Sequence, residues 1–95
     1  MSMKSNNKDN KELERELKAL ANKRRLAIIK FLRQNKEATV GDIAEAIKLS
    51  FKSTSKHLAV LKAVDIIEYD QRSLSYYYKL TVPLPRASRI LLALL

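Results

Sequence analysis

Residues 39–61, TVGDIAEAIKLSFKSTSKHLAVL, decide how the rest of the chain is read. Thr39 stands where an N-cap belongs, and Asp42 follows at the spacing of a capping box, in which each side chain accepts a hydrogen bond from the other's backbone N–H. Ile43, Ala44 and Ile47 recur at i, i+1 and i+4, which turns one helical face toward a core. The pattern gives out at Lys48-Leu49. Ser50 is then the N-cap of a second helix, predicted over about Phe51–Val64. On it Thr54, Leu58 and Leu61 share a face, while Lys52, Ser53, Ser55, Lys56, Ala59 and Lys62 point elsewhere. Between Lys48 and Val64 there are four lysines and no acid. Two short helices of this kind, the second with a small, polar, basic outer face, form a helix-turn-helix, and such a face suits a major groove lined by phosphates. An ordinary solvated surface also carries lysines, so the rest of the chain has to separate the two readings.

Ninety-five residues make one domain with a small core, for which pairing with a second copy is a natural remedy. A net charge of +9 favours a polyanionic partner, nucleic acid before an anionic membrane. The absence of cysteine excludes disulfides, thiolate metal ligands and thiol redox sensing. The polar start (Ser2, Lys4, Ser5, Asn6) has no apolar signal region, and no apolar run approaches membrane-spanning length, so a cytoplasmic protein is expected. One histidine and no Gly-rich phosphate loop or convergent carboxylates leave nothing from which to build an enzyme site.

Residues 1–10 are short of apolar side chains and read as a disordered arm; residues 11–95 read as the single domain. From Lys11 the pattern is helical. Leu13, Leu17 and Leu20 form a narrow stripe suited to a partner helix, with Glu12, Glu14, Arg15, Glu16 and Lys18 on the other faces. Asn22 caps the next helix, predicted from Lys23 to about Gln34. Its apolar positions Leu26, Ile29 and Leu32, flanked by Ala27, Ile28 and Phe31, are wide enough to be the centre of the fold. Lys23, Arg24 and Arg25 crowd its first turn, where the helix dipole disfavours cations. This cluster is either a phosphate contact or plain surface, and Arg25 is expected to find a carboxylate.

Asn35-Lys36-Glu37 reads as an exit loop. After the helix pair, Asp65 breaks the chain. Ile66–Asp70 and Ser75–Leu80 are rich in Ile and Tyr and read as two strands, joined by a turn over Gln71, Arg72, Ser73 and Leu74. A hairpin at this point is the wing of a winged helix-turn-helix, with Arg72 at its tip and the strand tyrosines mostly packed back on the helices. Two prolines then end the strand, and Arg86–Leu95 reads as a last helix. Its Ala87, Ile90, Leu91, Leu94 and Leu95 share an apolar face widened by Leu92, with Arg86, Ser88 and Arg89 as a thin polar side. A second copy is the best cover for this face, pairing it with the Leu13 helix across a two-fold axis; an interfacial membrane anchor ranks below that. The expected interface is Leu13, Leu17, Leu20, Ile90, Leu91, Leu94 and Leu95. The fold expected is mainly α with a small β-hairpin: five helices and a two-stranded wing.

The chain from about Leu17 to Leu80 resembles the ArsR-type (SmtB/ArsR) winged-helix transcriptional regulators. Three segments carry the likeness: Leu17–Asn22 with Arg25, Leu26 and Ile29; Thr39–Ala44; and Leu49-Ser50 with Ser53, Ser55-Lys56-His57-Leu58 and Leu61-Lys62. Tyr77–Leu80 is similar to the closing wing strand. The resemblance implies a homodimer, joined by its first and last helices, that binds a palindromic operator and usually represses. It also implies that Lys52, Ser53, Ser55 and Lys56 face the groove. With Lys48, Ser50, His57, Lys62 and Arg72 these make up the expected DNA-binding set, and Arg24 is a further phosphate candidate. His57 has two readings: a contact to DNA or the wing, or a structural histidine bonded within the domain.

Where metal-sensing members carry thiolates, this chain has Thr39 and Gly41, and nothing after Lys79 is Asp, Glu or His, so neither a metal nor another cofactor is expected. The family favours Gly where Asp65 and Ser73 stand, which points to weaker wing contacts than usual. The function expected is therefore a dimeric, sequence-specific regulator that binds double-stranded DNA, a repressor without a metal effector. The alternative is a protein–protein interaction module with an apolar C-terminal docking helix.

Overall fold

The three residues read as N-caps each open a helix in the computed structural model, which describes the backbone from Met3 to Leu95 and the side chains from Asn10 onward. Asn22 accepts from the Arg24 and Arg25 N–H groups to start α2 (Lys23–Asn35), and Thr39 and Asp42 close a capping box on α3 (Val40–Ile47). Ser50 accepts from the Ser53 N–H to start α4 (Phe51–Ala63). Each cap satisfies a donor that the first helical turn leaves unpaired and contributes about 1 kcal/mol. Around these lie α1 (Met3–Leu20), β1 (Glu37–Ala38), β2 (Ile67–Arg72), β3 (Ser75–Leu80) and α5 (Arg86–Leu91), which runs on into a 3₁₀ turn over Leu92–Leu94. The order is that of a winged helix-turn-helix.

Of residues 1–10, read from sequence as an arm, residues 1 and 2 lie outside the description. From Met3 the backbone is already helical. No Gly or Pro interrupts Met3–Leu20, and extending an existing helix costs far less than nucleating one.

The core gathers one face from each helix of the centre. Ile28, Ile29 and Leu32 of α2, Ile43 of α3, Leu58 and Leu61 of α4, and Ile66 and Ile67 at the foot of the wing are all at most 2% exposed. Ala19 and Leu20 of α1 and Leu92 after α5 close it from the other side.

The wing departs from the sequence reading in two places. Its sheet has three antiparallel strands in the order β1-β3-β2, because Glu37, read as the end of the exit loop, and Ala38 after it pair with Lys79 and Tyr78. Two residues are too short to show any alternation. The turn is also tighter: Arg72 pairs with Ser75, leaving only Ser73 and Leu74 between the strands. The strand register places Glu37, Glu68, Asp70, Arg72, Tyr77 and Lys79 on one face, and Ala38, Ile67, Tyr69, Tyr76, Tyr78 and Leu80 on the other.

Two helix ends close without glycine. At α3, Leu49 N–H donates to Ala44 C=O (3.0 Å) and Lys48 N–H to Glu45 C=O; at α4, Ile66 N–H donates to Leu61 C=O (3.1 Å) and Asp65 N–H to Lys62 C=O. These are Schellman motifs, and they put Lys48 at φ 56° and Asp65 at φ 60°. Ser73, in the hairpin turn, has φ 57°. The two positions where the resemblance favours glycine, Asp65 and Ser73, are thus both left-handed here.

Candidate nucleic-acid interface

α4 is fixed from behind and open in front. Thr54, Leu58 and Leu61, each 0% exposed, pin one face into the core. The opposite side presents Lys52, Lys56 and Ala59 to solvent, flanked by the half-buried Ser53 and Ser55. Lys48 stands exposed in the turn before it, and Ser50 spends its hydroxyl on the cap, 3.1 Å from Ser53 N. Among the described residues, no carboxylate lies within 4.0 Å of Lys48, Lys52 or Lys56. α4 also has no acid in its first turn, so its positive dipole end is uncompensated. The result is a rigid helix face whose cations are free to meet phosphate.

Two of the expected cations behind this face are committed to structure. Arg24 donates to the Ile47 carbonyl at 3.1 Å, closing the end of α3 at the helix-turn-helix corner. Arg25, expected to find a carboxylate, instead donates to the Lys18 and Ala19 carbonyls at the end of α1, where a helix leaves acceptors without internal partners. Its remaining nitrogen meets His57 Nδ1 at 3.2 Å. A guanidinium can only donate, so Nδ1 accepts and the ring proton sits on Nε2. Burial pulls the His57 imidazole below its ordinary value, and the Arg25 and Arg24 charges act in the same direction. Of its two readings, the geometry matches the structural one: His57 ties α4 to the junction of α1 and α2.

The wing is built differently. Arg72, expected at an exposed tip, folds along the sheet into a two-pronged pair with Glu37, at 2.8 and 2.7 Å, and covers the Tyr77 ring with its guanidinium carbon 4.7 Å from the centroid. The hydrogen bond from Arg72 is the main reason the Glu37 carboxyl lies below the usual range. Asp70 bridges Arg72 and Lys79, and Glu68 also pairs with Lys79, at 3.6–3.7 Å. On the other face Tyr69 meets Tyr76 edge-on, centroids 5.0 Å apart, and Lys62 of α4 sits 5.2 Å over the Tyr69 ring. Only Tyr78 of the strand tyrosines joins the core; Tyr69 and Tyr76 remain 40% and 43% exposed, contrary to the expectation that most would pack inward. A hairpin standing clear of the helices has room to bury only its base.

The residues expected to pair two copies are split by the fold. Leu13, Leu17, Ile90 and Leu94 are exposed, and Leu91 and Leu95 half-buried, beside an apolar cleft of ≈ 400 Å³ between α1, α2 and the chain's last turns. Leu20 is instead part of the core, 6% exposed, because α1 turns its last residues inward against α2. The last helix, predicted to Leu95, tightens at Leu92, where Arg33 donates to the Leu92 and Leu95 carbonyls at 2.6 Å.

Sequence reasoning missed the contact that holds α5. Ser88, assigned to a polar side, is 0% exposed, and its N–H and hydroxyl both donate to the Glu16 carboxylate at 2.6 Å. Pro85 offers no side-chain cap, so a carboxylate from α1 takes that role. The only signal was a serine interrupting an apolar face.

Residues 22–69, from the cap of α2 into β2, match the family described as bacterial regulatory protein, arsR family. The transcriptional activator HlyU of Vibrio cholerae is 35% identical over 65 residues, which span 68% of the chain and 59% of HlyU's length. The homodimeric winged helix-turn-helix DNA-binding domain of Mb0332 from Mycobacterium bovis superposes with a TM-score of 0.81 at 30% identity, over 99% of the chain and 82% of that domain. The transcriptional repressor BigR from Xylella fastidiosa superposes with a TM-score of 0.76 at 26% identity, over 98% of the chain and 89% of BigR.

Proposed function

The chain belongs to the arsR family of bacterial regulatory proteins, with a winged helix-turn-helix DNA-binding fold, and from that premise we propose that it is a dimeric, sequence-specific repressor working in the cytoplasm without a metal effector. The observation that carries this is the outer face of α4, where Lys52 and Lys56 stand free of any described carboxylate on a helix locked to the core. In a two-fold dimer each copy lays α4 in a major groove; Ser53 and Ser55 meet base edges, and Lys48, Lys52 and Lys56 meet phosphates. Leu13 and Leu17 of α1 with Ile90, Leu91, Leu94 and Leu95 supply the pairing surface, which buries the apolar cleft. Support for the lack of a metal effector comes from the residues themselves: the sequence has no cysteine, and its one histidine is bonded to Arg25. Repression follows from occupancy, since a dimer seated on a promoter excludes other proteins.

The test is titration of the purified protein against its own promoter region and against random duplex at two salt concentrations. A dimer that neutralises about eight phosphates gives a log–log salt slope near −7. Tight promoter binding with such a slope, unchanged by added zinc or chelator, supports the reading. Absence of binding to either duplex at low salt overturns it.

A further inference from the structure

One side chain on the α4 face is out of keeping with the rest. Phe51, the first residue of the helix, is 63% exposed and belongs neither to the core cluster nor to an aromatic pair among the described residues. Scattered surface hydrophobes are common and need no explanation. Phe51 differs in where it is held. The Ser50 cap fixes the backbone on one side, and the buried Thr54, Leu58 and Leu61 fix the helix on the other, so the ring is carried on a rigid mount. Its neighbours are the exposed Lys48 three residues before, the exposed Lys52 next to it and the half-buried Ser55 one turn on. Recognition helices approach base edges with their N-terminal residues. A phenyl ring has no hydrogen bond to offer there, and the apolar group that a major groove exposes is the 5-methyl of thymine.

We propose that Phe51 is a specificity-determining residue that reads thymine, packing its ring against the 5-methyl group of one thymine in each half-site. The inference rests on the DNA-binding reading above and adds to it a base preference at one position. Burying one methyl is worth about fourfold in affinity, so a change made in both half-sites should cost about fifteenfold.

The experiment uses the full chain and a promoter fragment that it binds, with each thymine pair in the two half-sites replaced in turn by deoxyuridine, which deletes the methyl and leaves every hydrogen-bonding group in place. The expected result is one symmetric position at which the substitution weakens binding about fifteenfold, and a Phe51→Ala protein that binds the thymine and uracil forms of that position equally. Phe51→Leu, which keeps an apolar contact, should retain part of the discrimination. Binding that is indifferent to deoxyuridine at every position overturns the proposal, and so does discrimination that persists in Phe51→Ala. Both outcomes leave the regulator reading intact, because that reading fails only if no duplex is bound. The deoxyuridine series on the unaltered protein stands whatever Phe51→Ala does to folding.

Discussion

α4 and the wing both carry cations, yet they hold them in opposite ways. On α4 no carboxylate of the described residues lies within 4.0 Å of Lys52 or Lys56, and the segment from Lys48 to Val64 contains no acid. On the charged face of the wing, Arg72 and Lys79 are matched against Glu37, Glu68 and Asp70, so that face is net negative before any ligand arrives. A cation paired inside the protein has to give up its carboxylate before it can serve a phosphate, and the exchange gains little. Counting basic residues therefore overstates what the wing contributes. α4 leaves Lys52 and Lys56 without a carboxylate, and the hairpin pairs its cations within its own sheet.

This contrast can be broken, first at α4. Replacing Lys52 and Lys56 together with Ala should lower promoter affinity by about a hundredfold at physiological salt and make the salt slope shallower by about 4 for the dimer, read by anisotropy titration. An unchanged slope would mean that these lysines do not meet phosphate. Next, Glu37→Gln removes the carboxylate that holds Arg72 and should tighten binding about fivefold, while the same change in an Arg72→Ala background should do nothing. Arg72→Ala alone should weaken binding by less than about threefold; a larger loss would show that Arg72 leaves Glu37 in the complex.

The smallest effect concerns pH and sharpens the assignment of His57. Its neutral form is favoured in the folded protein, so the unfolded chain takes up a proton first as pH falls through about 6.5. Stability from this residue is complete above that pH and declines below it, until the folded imidazole also titrates. The urea midpoint measured from pH 7.5 to 5 should therefore fall more steeply for the unaltered protein than for His57→Gln, whose amide oxygen can still accept from Arg25. Parallel curves would place His57 outside that network.

The helix-turn-helix was readable in the sequence because its signals are local. Caps at Asn22, Thr39 and Ser50, and apolar spacing on α2, α3 and α4, each reside within a few residues and agree with one another. What escaped was set by distant partners. Glu37 joins a strand and holds Arg72, 35 residues away, and Glu16 caps a helix 72 residues away; neither leaves a mark on its neighbours in the chain. The site residues divide along the same line. The solvent-facing placement of Lys52 and Lys56 was legible because the buried stripe behind them predicts which way they point, whereas the fate of Arg72 and Lys62 depends on a carboxylate and a tyrosine ring that no spacing rule locates.

The bond between Glu16 and Ser88 also has a consequence for the order of assembly. It joins residues 72 positions apart, and the entropy cost of closing so long a loop is expected to be met after the shorter contacts among α2, α3 and α4 are in place. On that order the core of α2, α3 and α4 forms before α5 is seated against α1. In a chain leaving the ribosome, the surface proposed to pair with a second copy would come together last, after the helices that present Lys52 and Lys56.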